Sequence, residues 1–471
     1  MSQTDLVQAM YPDLPHEAAE KKKPDISKLE NGRIPNPQSG TVQRIAEILM
    51  ISDAEIDELR KNAATPADKL RDIAALSRKE LEDLAARFEI EGRYEMPIEA
   101  LRKELENRAD DYRAYRRQID KIDEVALRAH NLKARAEVAA EQLDFDEVET
   151  VLAEVDAIET MQAYETKIAR AQNALLRNRV ERAFQILSAA ADSLGSLSDT
   201  APARARIETE DILYQHGLRY GGEGMALSEA MLRQALDSLN PESQPVDWAR
   251  AQNALAIALQ QQGTRTEGAR GADLLAQAVA AYDAALEVRT RQDHPVDWAA
   301  TQNNKGAALR NQGTRTESPR GSELLAQAVA AYDAALEVRT RQDHPVAWAT
   351  TQNNRGTALL DQGTRTEGAR GAELLAKAVA AYDAALEVFT RQDHQVDLAS
   401  SKILKGIALH NQGTRTEGAR GSELLAQAVA AYDAALEVRT RQDHPMDGDH
   451  TQKNQSTSLQ YQGTRIEGAR G

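Results

Sequence analysis

The chain contains 471 residues, carries a formal net charge of −16 and has no cysteine. This length exceeds what one compact core can organise, so we expect several domains or a repeat array. The lack of cysteine excludes disulfides and thiolate metal sites. The negative charge argues against wholesale coating of nucleic acid, although a local basic patch could still bind it.

The first residues and the hydropathy pattern predict a cytoplasmic location without membrane contact. The start M-S-Q-T-D-L has neither the basic nor the apolar segment of a secretory signal. No window approaches 18 consecutive apolar residues, so we expect no membrane span. Absent cysteine also fits a reducing compartment.

Residues 1–62 contain two segments with the pattern of short helices. D-I-S-K-L-E-N-G-R-I-P-N-P (25–37) has a glycine stop and then a proline-containing loop, and T-V-Q-R-I-A-E-I-L-M-I-S (41–52) is amphipathic. Together they resemble the helix-turn-helix domain of phage-repressor-type (Cro/C1, XRE) proteins. The resemblance implies that residues 2–10 form the helix before the turn and that the domain binds double-stranded DNA.

The DNA contacts implied by this resemblance are phosphate contacts from Lys22, Lys23 and Arg33, major-groove contacts from Ser27 and Lys28, and Gln3 near the start of the preceding helix. The segment departs from the family because its first helix is missing and residues 12–24 lengthen the turn. Residues 1–50 also hold six basic against seven acidic side chains. The alternative is a small helical domain with a solvated lysine run.

Residues 63–124 are predicted to be a helical linker with a coiled-coil-like region. Ser77 and Glu80 have the spacing of a capping box, which opens a helix with an apolar side. A longer helix is expected from Ile98 to about Ala129. Its apolar stripe packs either within the chain or as a dimer seam, and consists of Leu101, Leu105, Tyr112, Tyr115, Ile119 and Ile122.

Residues 125–245 have the pattern of degenerate helical pairs. Helical segments begin at residues 145 and 179, a separation of 34 residues that is typical of tetratricopeptide repeats. Residues 226–241 lie in register with the units that follow, because Ala235 and Leu236 match Ala285 and Leu286. We therefore expect degenerate repeats before the regular ones.

Residues 246–446 repeat with a period of 50 residues, which is the signature of a solenoid. In one unit, residues 298–313 predict a first helix, T-R-T-E-S-P-R-G a loop, and residues 322–340 a second helix. Pro345 is expected to end the second helix because proline cannot continue one. Each helix has one apolar face, which only stacked copies can bury.

The second helix carries Ala328, Tyr332, Ala335 and Leu336, and the same pattern recurs in each copy. This A-x3-Y-x2-A-L pattern resembles tetratricopeptide (TPR) repeats, in which the position of Gly306 and its copies holds a small residue for close helix crossing. The unit departs from the family in its longer loop and in the charged residues Lys305, Arg355 and Lys405, where leucine is usual. Either their aliphatic stems replace the leucine or the repeats pack loosely.

Asparagines recur on the first helix at Asn253, Asn303, Asn304, Asn353 and Asn354. They resemble the paired asparagines of kinesin-light-chain-type repeats, and this resemblance implies that they hold the backbone of an extended peptide. Amide side chains supply both donors and acceptors for such contacts. The alternative is that they are solvated or bond only between repeats.

Other patterns suggest no chemistry. Asp293-His294 and its copies lie one repeat apart, too far for ligands of one ion, so turn chemistry is expected. The T-R-T-E-G-A-R-G segment lacks a phosphate-loop motif, and no catalytic set is recognisable, so we expect no metal, no cofactor and no enzyme activity. Residues 447–471 have lost the repeat's tryptophan, and are expected to form a truncated, weakly held last unit.

These features predict an all-α protein with a small helix-turn-helix domain, a helical linker and a TPR-like α-solenoid. The predicted function is a protein–protein interaction module coupled to a DNA-binding head, which is a transcriptional regulator or adaptor. A peptide bound to the solenoid could alter how the head engages its operator. The alternative is a pure interaction scaffold with a vestigial head.

A band-shift assay at low salt separates these two functions. The regulator predicts a shift that depends on DNA sequence, and Lys28→Ala should weaken it about tenfold, as expected for the loss of one base contact. Lys69→Ala, outside the helix-turn-helix segment, serves as the control. A shift without sequence preference that Lys28→Ala leaves unchanged would leave only the scaffold.

Overall fold

The computed structural model describes residues 66–141, 145–317, 319–390, 394–438 and 445–468. Within these ranges every regular element is a helix, which confirms the predicted all-α class. The predicted helix-turn-helix domain, with all its candidate DNA contacts from Gln3 to Arg33, lies outside them.

The chain divides into two compact units between Arg113 and Ala114, which is within α3. Ahead of the repeats lie α1 (Pro66–Lys69), a 3-10 turn (Ile73–Ala75), α2 (Arg78–Arg87), α3 (Ile98–Glu141), α4 (Phe145–Leu176), α5 (Val180–Asp192), a second 3-10 turn (Ser193–Ser196), α6 (Ala201–Tyr220) and α7 (Gly224–Asp237). The repeats contain α8 (Pro245–Arg265), α9 (Gly268–Val288), α10 (Pro295–Arg315), α11 (Arg320–Leu336), α12 (Pro345–Arg365), α13 (Gly368–Leu386), α14 (Gln395–Arg415), α15 (Gly418–Leu436) and α16 (Pro445–Gly468). We call the even-numbered helices from α8 to α16 the A helices and the odd-numbered helices from α9 to α15 the B helices.

In the first unit, α2 begins with the predicted capping box. The backbone N–H of Glu80 donates to Ser77 Oγ, and the backbone N–H of Ser77 donates to Glu80 Oε2 at 3.0 Å. Hydrogen bonds from the Ser77 hydroxyl and from Lys69 lower the pKa of Glu80 to about 2. The predicted apolar side of α2 is buried at Leu81 and Leu84.

Two long helices lie ahead of the regular repeats. α3 begins at Ile98 as expected but continues beyond Ala129 to Glu141, across the predicted boundary at residue 125. α4 is one helix over residues 145–176, and α5 follows after a short turn. Neither helix contains a glycine or proline, so nothing in the local sequence stops them.

The regular repeats form a solenoid of helical hairpins with the predicted 50-residue period. Each A helix packs against the B helix that follows it, and each B helix packs against the next A helix. The alanines and the tyrosine of the A-x3-Y-x2-A-L pattern are buried in every copy, as Ala328 and Tyr332 illustrate. Stacking therefore buries the apolar faces that one hairpin alone would expose.

The helix ends differ from those predicted. α10 covers Pro295–Arg315 rather than 298–313, and α11 covers Arg320–Leu336 rather than 322–340. Pro345 does not end α11, because it is the first residue of α12. A proline at this position loses no hydrogen bond, since the first N–H groups of a helix lack intrahelical acceptors, and its φ already suits a helix.

The T-R-T-E-G-A-R-G segment is mostly helical rather than a loop. Only Thr266 and Glu267 separate α8 from α9. Gly271 belongs to α9, where an added Cβ atom would lie 2.0 Å from the carbonyl oxygen of Thr266. Glycine is therefore needed there for close approach of two chain segments, rather than for a flexible loop.

In α10, α12 and α14 the first arginine of this segment binds the end of the preceding A helix. Arg365 Nη1 donates to Gly313 O at 2.7 Å and Thr316 O at 3.0 Å, while Nη2 donates to Thr314 O. Arg315 and Arg415 bind the corresponding three carbonyls of their own preceding repeats. Carbonyls at a helix C-terminus lack intrahelical donors and carry partial negative charge. A planar guanidinium supplies several donors and a positive charge, so it stabilises these carbonyls in both respects. We call this contact the arginine staple.

We expect Arg365→Ala to lower the free energy of unfolding by about 1–2 kcal/mol, because it removes charge-assisted hydrogen bonds from three carbonyls. Arg365→Lys should recover only part of this loss, because an ammonium group cannot span the same three acceptors. Urea denaturation followed by circular dichroism measures both effects.

Arg370→Ala is the matched control for the staple. Arg370 lies in the same segment but is exposed and forms a surface ion pair with Glu373 at 3.6 Å. Its loss should cost about 0.3 kcal/mol. Equal destabilisation by the two alanine variants would contradict the staple.

A half-buried carboxyl group joins α6 to α7. Glu210 Oε2 accepts a hydrogen bond from the hydroxyl of Ser228, which is fully buried. Burial raises the pKa of Glu210 from 4.5 to about 7, and the nearby charge of Asp211 adds to this, while the Ser228 bond opposes it. The folded chain thus holds this proton more tightly than the unfolded chain. The resulting stabilisation is fully present below pH 4.5 and is lost as the pH rises through about 7.

Glu210→Gln should therefore stabilise the protein at pH 8 and not at pH 4. We expect a gain in the free energy of unfolding of about 1–3 kcal/mol at the higher pH, because the variant carries no charge to bury. Urea denaturation at the two pH values measures it, with the exposed Glu208→Gln as control. An equal change at both pH values would show that titration is not the cause.

Candidate functional site

The A helices of consecutive repeats are joined directly by side-chain hydrogen bonds. We call the surface that they share the A-helix face, defined by the positions of Val246, Arg250, Asn253 and Ile257 and their counterparts in the following repeats. Helical spacing of three to four residues places these positions on one side of each helix. In α8 they are exposed or half-buried, so this side is open to a partner.

The predicted asparagines lie on the A-helix face and bond between repeats. Asn253 Oδ1 accepts from Thr301 Oγ1 at 3.2 Å, and Asn353 Oδ1 accepts from Ser401 Oγ at 2.8 Å. The intervening junction uses Asn303 Oδ1, which accepts from Asn354 Nδ2 at 3.2 Å. The structure therefore joins the asparagines into a ladder that crosses three repeat junctions.

The ladder leaves several amide nitrogens available. Asn303 Nδ2 donates to Asn304 Oδ1 at 3.2 Å, and Asn303 itself is only 9% exposed. In the part of the chain that the structure describes, the Nδ2 atoms of Asn253, Asn304 and Asn353 have no acceptor, and these side chains are half-buried. Each of these NH2 groups can donate to an acceptor on a bound partner.

The charged residues that precede the helix-crossing glycines form ion pairs across the repeat junctions. Lys305 Nζ lies 2.5 Å from Asp283 Oδ1, and Lys405 Nζ lies 2.6 Å from Asp383 Oδ1. Arg355 contacts Asp333 in the same way at 2.5 Å. Each aspartate follows the buried tyrosine of the preceding B helix, so an ion pair joins these repeats at the positions of the three charged residues.

The junction between α7 and α8 lacks both members of this Asp–Lys or Asp–Arg pair. There the counterpart of the aspartate is Arg233, and the counterpart of the lysine is the buried Leu255. At the last junction Gln455 donates to Asp433 instead. The paired change was visible in the sequence, but only the packing of one repeat on the next shows that these positions meet.

Glycines lie where each of three A helices closely approaches its B helix. A Cβ atom on Gly306 would lie 2.8 Å from Tyr332 Cε1, and one on Gly406 would lie 2.6 Å from Tyr432 Cε1. These distances are shorter than van der Waals contact, so a larger side chain would separate the A helix from its B helix.

The histidines of the recurring Asp-His pairs have a backbone role. The carbonyl oxygens of His294 and His344 accept the N–H groups of Trp298 and Trp348, both at 2.8 Å, where the next A helix begins. Within the described ranges, no three His, Asp or Glu side chains converge as a metal site would require. None of the described helices combines the length and the apolar character needed to cross a membrane.

A comparison with models of known protein families finds no match, and a comparison with curated proteins finds none either.

Proposed function

We propose that this protein is a TPR-type interaction protein whose A-helix face binds an extended peptide segment of a partner protein. The observation that supports this best is the set of amide nitrogens without acceptors at Asn253, Asn304 and Asn353. These nitrogens recur along the solenoid, and the carbonyl groups that could accept from them recur along an extended peptide. The oxygens of Asn253 and Asn353 accept hydrogen bonds from the next repeat, and the oxygen of Asn304 accepts one from Asn303, so the orientation of each donor is fixed.

Recognition on this face depends on neutral groups. The charges beside the asparagines are already paired, since Arg310 Nε lies 2.6 Å from Asp361 Oδ2 on the next A helix and Lys305 is bound to Asp283. A partner therefore gains little from charge complementarity there. We expect peptide affinity to depend only weakly on salt, because ionic screening acts mainly on charged contacts.

The TPR assignment rests on the hairpin repeats, on the buried A-x3-Y-x2-A-L residues and on the close approach of Gly306 to Tyr332. The proposal extends to a transcriptional regulator or adaptor through the helix-turn-helix resemblance of residues 1–62, which rests on the sequence alone. A scaffold without DNA binding is the alternative.

Replacing asparagine by aspartate tests the peptide site with little change in shape. Asn253→Asp with Asn353→Asp keeps the oxygens that Thr301 and Ser401 bind but removes the free donors. For a peptide selected from a displayed library on the wild-type chain, we expect the dissociation constant to rise at least about tenfold, because each lost donor leaves a peptide carbonyl unpaired. Isothermal titration calorimetry measures it.

Gln277→Glu with Gln327→Glu is the matched control, since both glutamines are exposed on B helices and the change in net charge is the same. This pair should alter affinity less than about twofold, as for distant surface changes. Equal weakening by both pairs, or none by the asparagine pair, would refute binding on the A-helix face.

A further inference from the structure

A second candidate site lies away from the A-helix face, where α3, α4 and α5 meet. A cleft of about 430 Å³ opens there, within the unit that begins at Ala114. Its described lining contains no acidic side chain but four arginines: Arg170, Arg177, Arg179 and Arg182. We call it the arginine cleft.

The turn between α4 and α5 holds two of these arginines in place. Asn178 adopts a left-handed conformation (φ 54°) directly after α4, which asparagine tolerates better than most residues. The N–H groups of Asn178 and Arg179 donate to Leu175 O and Ala174 O, both at 2.9 Å. The backbone that carries Arg177 and Arg179 is therefore fixed by the helix end.

The N-terminus of α5 adds positive potential beside the cleft. α5 has 13 residues, and its N-cap residue Arg179 offers no side-chain acceptor to the first turn. The first N–H groups of a helix have no intrahelical acceptors and carry partial positive charge. This potential reinforces the arginine side chains.

Arg170 and Arg182 lack the carboxylate partners that basic side chains of α3 have. Arg128 of α3 pairs with Glu154 of α4 at 2.9 Å, and Lys133 pairs with Glu159 at 2.5 Å. Among the described residues, Arg170 has no such partner, and the contact of Arg182 is the neutral amide of Gln185 at 3.3 Å. Like charges held together in a chain of net charge −16 attract an anion.

The other side of the cleft is apolar. Tyr115 and Ile119 of α3 are half-buried there and lie with Ala169 and Ala174 of α4. The volume lies in the range of small-molecule sites, which combine an apolar surface with a few polar groups that fix orientation. A compact cleft of this kind suits a small molecule better than a peptide strand, which needs an extended groove.

We propose that the arginine cleft binds a small organic phosphate, with its phosphate groups on Arg170 and Arg182 and its ring or apolar part against Tyr115 and Ile119. Guanidinium groups match phosphate oxygens through paired hydrogen bonds. This site is independent of peptide binding on the A-helix face.

Isothermal titration calorimetry with the full chain at low ionic strength tests the proposal, with ATP free of divalent cations as the organic phosphate. We expect ATP to bind and its affinity to fall as salt is added. Arg170→Gln with Arg182→Gln should weaken binding at least about tenfold, because each removes a charge-assisted hydrogen bond. Arg320→Gln with Arg370→Gln, which changes net charge equally on exposed residues of the repeats, should leave it within about twofold.

Four outcomes would overturn the proposal. One is undetectable ATP binding, and another is equal weakening by both arginine pairs, which would indicate nonspecific attraction. The third is binding of inorganic triphosphate as tight as that of ATP, which would show that the apolar side contributes nothing. A glutamate hexapeptide that binds more tightly than ATP and depends on Arg170 and Arg182 would assign the cleft to protein carboxylates instead.

Discussion

The contact on which the solenoid depends is the arginine staple. An A helix that ends against its neighbour leaves carbonyl groups without donors, and the guanidinium of the next repeat supplies them, as Arg365 does for Gly313, Thr314 and Thr316. A glycine lies at the same contact, because a Cβ atom on Gly321 would lie 2.2 Å from the carbonyl oxygen of Thr316, which Arg365 also binds. The recurring T-R-T-E-G-A-R-G segment is therefore a joint between repeats, and its arginine and glycine belong to one contact.

The rest of each junction is built from small residues and matched polar groups. Gly306 lets Tyr332 approach its helix closely, and Lys305 reaches Asp283 of the preceding repeat. Aromatic residues make up only 4% of the chain, so no junction can rely on large buried rings alone. Stability is instead distributed over many similar neighbour contacts, as in other solenoids. The asparagine ladder belongs to this system, because an amide can bond the next repeat through its oxygen and still present its nitrogen to a partner.

Two surfaces of this acidic chain use charge differently. On the A-helix face the charges are neutralised between repeats, which leaves neutral amides to recognise a ligand. In the arginine cleft the charges of Arg170 and Arg182 have no carboxylate partner among the described residues, which leaves them to an anion. Because salt screens charged contacts more than neutral ones, ionic strength should separate ligands of the two sites.

The sequence by itself determined the all-α class, the 50-residue period, the capping box at Ser77 and the tyrosine and alanine positions that are buried. These features depend on spacing over a few residues or on repetition, both of which can be read along the chain. The tertiary structure decided that Pro345 begins a helix, that Arg315 and Lys305 join repeats, and that Asn353 keeps a free nitrogen but not a free oxygen. It also brought Tyr115 beside Arg170 and Arg182. These outcomes depend on contacts between residues that are distant in sequence, and local pattern does not say which distant residues will meet.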